Sequence, residues 1–218
     1  METDKTEWFL RGNWAPLGEE KELNDLKVEG AIPTELDGLY VRTGPNPKNG
    51  KGSHWFLGDG MVHGIRLKKG KAEWYRNRFV QTPDITEPLR DPMAGLGDLR
   101  RGKGNTHVVA HNEQIMCLEE AHWPWTINAD LETTGVLNYK GKLDCSMTAH
   151  PKVCPITGEL LAFSYFSFEQ PYLKYIRVSA DGKLQQVEGI ELPEMVMMHD
   201  FNITLSLIHI SEPTRPID

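Results

Sequence analysis

The stretch Met147-Thr148-Ala149-His150-Pro151-Lys152-Val153 leads into Thr157-Gly158-Glu159-Leu160-Leu161-Ala162-Phe163, so a histidine stands at the head of a pair of short apolar strands separated by a Thr-Gly turn. Further along, Met197-Met198-His199-Asp200-Phe201-Asn202-Ile203-Thr204 offers a second histidine in the same kind of setting. Two imidazoles from two separate strand ends suit a histidine-based metal centre. Taken alone, each is more often a hydrogen-bonded structural residue than a ligand.

The rest of the chain has the same short-strand rhythm. Residues 26–30 alternate apolar and polar with period two, 39–43 form another short strand, and Gly44-Pro45-Asn46-Pro47 is a turn cluster. Gly58-Asp59-Gly60 between two apolar runs reads as a hairpin turn, and residues 72–80 return as a strand after Lys68-Lys69-Gly70-Lys71. Residues 106–110, 114–118, 126–128, 160–166 and 172–178 continue the series, with 129–135 as a connection and Ala180-Asp181-Gly182-Lys183 as a further hairpin turn. No segment carries a sustained 3.6-residue stripe, so the expected fold class is all-β: a sandwich, barrel or propeller. Between Gln81 and Asn105 the pattern lapses into proline, glycine and charge, and a loop of this length in a compact domain is expected to be a substrate-side loop.

With 39% hydrophobic and 25% charged residues the chain reads as globular, and a net charge of −7 argues against nucleic-acid partners and against attraction to anionic lipid. No apolar leader and no run long enough to span a bilayer is evident, which makes the cytoplasm the expected location. Cys117, Cys145 and Cys154 are widely spaced and lack a C-x-x-C pair, as expected of reduced structural thiols.

The wording Thr148-Ala149-His150-Pro151-Lys152-Val153 with Thr157-Gly158-Glu159-Leu160, and the wording Met197 to Thr204, resemble the first and second iron-histidine motifs of the carotenoid cleavage oxygenases, which include the lignostilbene dioxygenases. The likeness extends from Gly12 to Thr204 and takes in Leu36-Asp37-Gly38-Leu39-Tyr40-Val41-Arg42-Thr43-Gly44-Pro45 and Gly58-Asp59-Gly60-Met61-Val62-His63. It implies a seven-bladed β-propeller holding Fe(II) on its axis through four histidines. At roughly 40–45 residues per blade, residues 1–204 are expected to form about the first three to four blades, an open array with exposed strand edges and poor solubility.

The resemblance also assigns residues. His150 and His199 are expected as metal ligands, with two further ligands beyond Thr204, and two of four should hold iron weakly. Glu120 matches a glutamate that orients a ligand histidine, here His199, and no other catalytic residue is expected. Stilbene-cleaving members recognise a phenol through a tyrosine and a lysine. The corresponding residues here are Leu89, in Leu89-Arg90-Asp91-Pro92, and Glu119, neither of which favours a phenolate. The expected substrates are therefore O2 and an apolar polyene, a carotenoid or apocarotenoid cleaved at a conjugated C=C bond to carbonyl products. The full-length protein is expected to meet membranes peripherally. Trp123 and Trp125 stand as candidates for a cavity wall. His54, His63, His107, His111 and His122 match no ligand motif and are expected to be structural or surface residues.

Two alternatives remain open: a non-catalytic truncated propeller fragment lacking two of the four ligands, and a stilbene-cleaving or isomerising member of the same family. Residues 205–218 break the family pattern, and Leu205 to Arg215 reads as one frame of a transposase-based sequencing adapter. That tail, with His209, is expected to be non-native.

Overall fold

A computed structural model describes residues 6–24, 26–204 and 208–209. Three antiparallel four-stranded sheets form almost all of it. The first contains β1 (Glu22–Asn24), β2 (Gly38–Pro45), β3 (Gly60–Lys68) and β4 (Lys71–Phe79), in the spatial order β1-β4-β3-β2. The second is a simple meander of β5 (His107–His111), β6 (Gln114–Leu118), β7 (Trp125–Ile127) and β8 (Thr133–Val136). The third repeats that meander with β9 (Lys152–Val153), β10 (Leu160–Ser164), β11 (Leu173–Val178) and β12 (Leu184–Ile190). A short pair, β13 (Asn202–Ile203) with β14 (Ile208–His209), follows. Successive four-stranded meanders packed face to face are the blades of a propeller.

The strand sequences explain why the sheets stack. In β6 the run Ile115-Met116-Cys117-Leu118 is apolar on both faces. Met116 and Leu118 enter a core with Leu160, Ala162 and Ile176 of the third sheet, while Cys117 enters a core with Val62 of the first sheet and with Trp125 and Ile127. A strand with period-two side chains and both faces apolar has to be covered on both sides. β10 does the same: Leu160 and Ala162 face the second sheet, whereas Phe163, followed by Tyr165, faces Met198 and Phe201 ahead of β13. The backbone of the first sheet comes close to the loop before β5. A Cβ at Gly60 would lie 2.1 Å from the Lys103 carbonyl oxygen, so only glycine fits there.

Several expectations need correction. Residues 26–30 are not a strand. The outermost pairing of the first sheet is made instead by Glu22–Asn24, where Glu22 meets Arg76 and Arg78, and Val28 is exposed. Gly58-Asp59-Gly60 is not a two-residue hairpin either: β2 and β3 pair from Pro45 with Gly60, so the connection is the whole loop 46–59, with a 3-10 turn at Trp55–Leu57. Residues 133–135 of the expected connection belong, with Val136, to strand β8. The 81–105 loop contains a single helical turn at Pro83–Thr86 and 3-10 turns at Pro92–Gly95 and Leu99–Arg101. All three cysteines are free thiols, and among the described residues no helix is long and apolar enough to cross a membrane. The expectation for 205–218 falls, apart from the backbone of Ile208–His209, outside the described residues.

Candidate metal centre

Three strand ends converge on one point. Glu120 lies just past the end of β6, His150 two residues before β9, and His199 ahead of β13. One donor atom from each of Glu120, His150 and His199 lies within 4.8 Å of the others, and the two imidazole ring centres are 4.4 Å apart. Nδ1 of His199 is 2.8 Å from Oε1 of Glu120, close enough for an ion pair although not aligned as a hydrogen bond. Nε2 of His150 is 3.7 Å from the same oxygen. Both Oε1 of Glu120 and Nε2 of His150 are buried without a hydrogen-bond partner.

Each segment is anchored from behind. The His199 segment is seated by Met198 and Phe201, both buried against the third sheet. Lys152 and Asp200 join the two histidine motifs directly, with Nζ 2.6 Å from Oδ1. The His150 segment is held by Thr148, whose Oγ1 accepts from the His150 backbone N–H at 3.2 Å and whose own N–H bonds Phe163. On the other side of His150, the ring nitrogen Nδ1 of His107 bonds the Ala149 carbonyl at 2.9 Å, and the two rings are 5.6 Å apart. Tyr165 donates its O–H to Oε2 of Glu120 at 2.9 Å.

These surroundings set the charge states. Burial pushes the Glu120 carboxyl above the usual carboxylate range, while the Tyr165 hydrogen bond and the His199 ring pull it back down. Burial, with the neighbouring His199 ring, lowers the pKa of His150 and so favours the neutral imidazole that a metal requires. Burial and then the Glu120 charge raise that of Tyr165, which stays a donor. Two imidazoles and a carboxylate around unpartnered buried atoms fit a divalent first-row metal with open positions. One carboxylate oxygen is fixed by Tyr165, and the other is presented to both histidines.

Tyr165 was invisible in the sequence, where it reads as one more aromatic strand residue. His107, expected to be structural, lies beside His150 and spends its Nδ1 on a backbone carbonyl. Leu89 and Glu119 come together in the lining of one cavity, whereas Trp123 and Trp125 do not join them. Trp125 is buried between the first and second sheets and donates Nε1 to the Arg100 carbonyl at 3.0 Å. Trp123 packs on the core between the second and third sheets. Both are core aromatics rather than walls of either cavity.

The sequence profile of the family described as retinal pigment epithelial membrane protein matches residues 14–208. The chain belongs to this carotenoid oxygenase family. It is 38% identical to carotenoid 9,10(9',10')-cleavage dioxygenase 1 of Arabidopsis thaliana over 90% of this chain and 43% of that protein. It is 39% identical to the carotenoid cleavage oxygenase of Mycobacterium tuberculosis over 90% of this chain and 41% of that one. The crystal structure of Pseudomonas brassicacearum lignostilbene dioxygenase superposes with a TM-score of 0.80 at 32% identity, covering 90% of this chain and 45% of that one. The chain therefore spans less than half the length of these oxygenases, and its three sheets are part of a propeller.

Proposed function

We propose that the chain carries part of the metal centre of a non-haem Fe(II)-dependent dioxygenase that cleaves a conjugated C=C bond of a carotenoid or apocarotenoid to two carbonyl products. The observation that carries this is the convergence of Glu120, His150 and His199 from three strand ends, with Glu120 Oε1 and His150 Nε2 buried and without a hydrogen-bond partner. His150 and His199 would hold the ion, with Glu120 fixing the His199 ring through Nδ1. Bound iron would supply the chemistry through which O2 reacts with an electron-rich double bond. Tyr165 keeps the Glu120 carboxylate in place, and Lys152 with Asp200 keeps the two histidine segments in register.

A stilbene-cleaving reading draws support from the lignostilbene dioxygenase likeness. Leu89 and Glu119, which share a cavity, weigh against it, since neither can stabilise a phenolate. The non-catalytic reading is separated by metal analysis. Iron retained by the purified chain and lost in His150→Ala supports the metal centre; a chain that takes up no iron under reducing, anaerobic conditions rejects it. Oxygen-dependent conversion of an apocarotenoid to two carbonyl products, against none from a hydroxystilbene, tests the substrate class.

A further inference from the structure

The two histidines of the metal centre are held in different ways. His199 has a carboxylate beside it, with Oε1 of Glu120 2.8 Å from its Nδ1. His150 has no carboxylate at hydrogen-bond distance among the described residues, since the same oxygen lies 3.7 Å from its Nε2. Metal-ligating histidines commonly have their second ring nitrogen tied to a fixed acceptor. Without one, the direction of the His150 ring depends on how firmly its own backbone is placed.

That backbone is clamped on both sides of a single peptide bond. The Ala149 carbonyl is bonded by Nδ1 of His107 at 2.9 Å, and the His150 N–H donates to Thr148 Oγ1 at 3.2 Å. Both groups belong to one plane, so fixing them fixes the orientation from which the His150 side chain departs. Pro151 restricts the other side, because a residue before proline is confined to extended conformations. The clamp is dry: Thr148 and Ala149 are fully buried, and the Thr148 N–H is bonded to the Phe163 carbonyl at 2.8 Å.

His107 is the member of this clamp that comes from outside the His150 segment. It is the first residue of β5, and its register partner Leu118 stands two residues before Glu120. One end of the second sheet therefore delivers Glu120 to His199 and His107 to the peptide of His150. A carbonyl only accepts, so Nδ1 of His107 carries the hydrogen. Its ring also packs beside the ligand ring, with centres 5.6 Å apart and planes tilted by 30°.

We propose that His107 is a positioning residue for the metal centre: by holding the Ala149 carbonyl it aims His150, the part that Glu120 plays for His199. This rests on the metal-centre reading above and adds a residue to it.

The test is titration of the full chain with Co(II), followed by its visible absorption, in His107→Asn, His107→Leu and His107→Ala. An asparagine amide nitrogen can stand where Nδ1 stands and donate to the same carbonyl, whereas leucine, of similar size, cannot. Alanine removes the donor without adding bulk, in case leucine does not fold. His107→Asn is expected to bind Co(II) like the wild type. His107→Leu and His107→Ala should bind roughly tenfold more weakly or worse, with shifted absorption bands at saturation, which a merely structural role would leave in place. Wild-type affinity and bands in the leucine and alanine variants, or a loss that His107→Asn shares in full, overturns the positioning role alone. A wild type that takes up no Co(II) rejects the metal-centre reading and this one with it.

Discussion

Tyr165, at the end of the third sheet's second strand, gives its phenolic hydrogen to the outer oxygen of Glu120 at 2.9 Å, and so leaves the inner oxygen for the two histidines. The second blade supplies the carboxylate and the third supplies the group that aims it. Tyr165→Phe removes that hydrogen bond and little else. Its expected cost is about 1 kcal/mol in folding stability but roughly tenfold or more in metal affinity, since groups that orient a ligand commonly contribute about 10–100-fold. Metal titration of the variant against the wild type, alongside thermal melts, separates the two effects. Equal metal affinity would show that Tyr165 does not hold Glu120 in service of the site.

Phe201 joins folding to the same site from the other direction. It is fully buried against Phe163, with ring centres 5.0 Å apart, and it follows His199 by two residues. Phe201→Ala is expected to cost about 3–5 kcal/mol and to loosen the His199 segment, so chemical unfolding and metal retention should both suffer. Retention of full metal affinity in this variant would mean that His199 is placed independently of its hydrophobic anchor.

Acid stability should report a half-buried charge cluster. Lys103 bridges Asp59 and Asp84, and Arg101 also meets Asp84 at 2.9 Å. Burial alone would raise the Asp84 carboxyl, but the hydrogen bonds and charges of Lys103 and Arg101 outweigh it and hold the group below its usual range. A depressed folded-state pKa contributes stability above the unfolded value of about 3.9, and that contribution is lost as pH falls through the lower folded value. Asp84→Asn should therefore cost roughly 1–2 kcal/mol near neutrality and show a flatter loss of stability below about pH 4. Melting curves for both proteins between neutral and strongly acidic pH check the sign; parallel curves would remove Asp84 as the source.

Gly60 tests the contact between the first sheet and the loop before β5. With a new Cβ only 2.1 Å from the Lys103 carbonyl, and backbone rather than a flexible side chain in the way, Gly60→Ala must displace one segment. The expected loss is about 2 kcal/mol or more, seen as a lower thermal midpoint. A midpoint equal to that of the wild type would show that the loop gives way freely.

What the sequence disclosed depended on how local each signal was. Short apolar runs such as 114–118 and 173–178 appeared as strands because turn residues bound them within a few positions. β1 was missed because its pairing with β4 depends on Glu22 meeting arginines more than fifty positions away. Glu120, His150 and His199 were singled out by motif wording, and their convergence is a tertiary fact. Tyr165 had no such wording: it is a strand aromatic whose partner lies 45 residues earlier in the chain. Trp123 and Trp125 were set in a cavity wall because aromatic side chains suit either place; Trp125 instead enters a core from β7, and Trp123, two residues before that strand, packs on the neighbouring core.

The Lys152–Asp200 bridge has a consequence for assembly. It fastens a residue of β9, at the edge of the third sheet, to the segment leading into the next strand pair, with the whole β9–β12 meander lying between them in the chain. The donor atoms for a metal are therefore held in range by contacts between segments far apart in the chain. An ion bound there would join three distant parts of the chain, and a chelator that removed it would lower the stability of the fold.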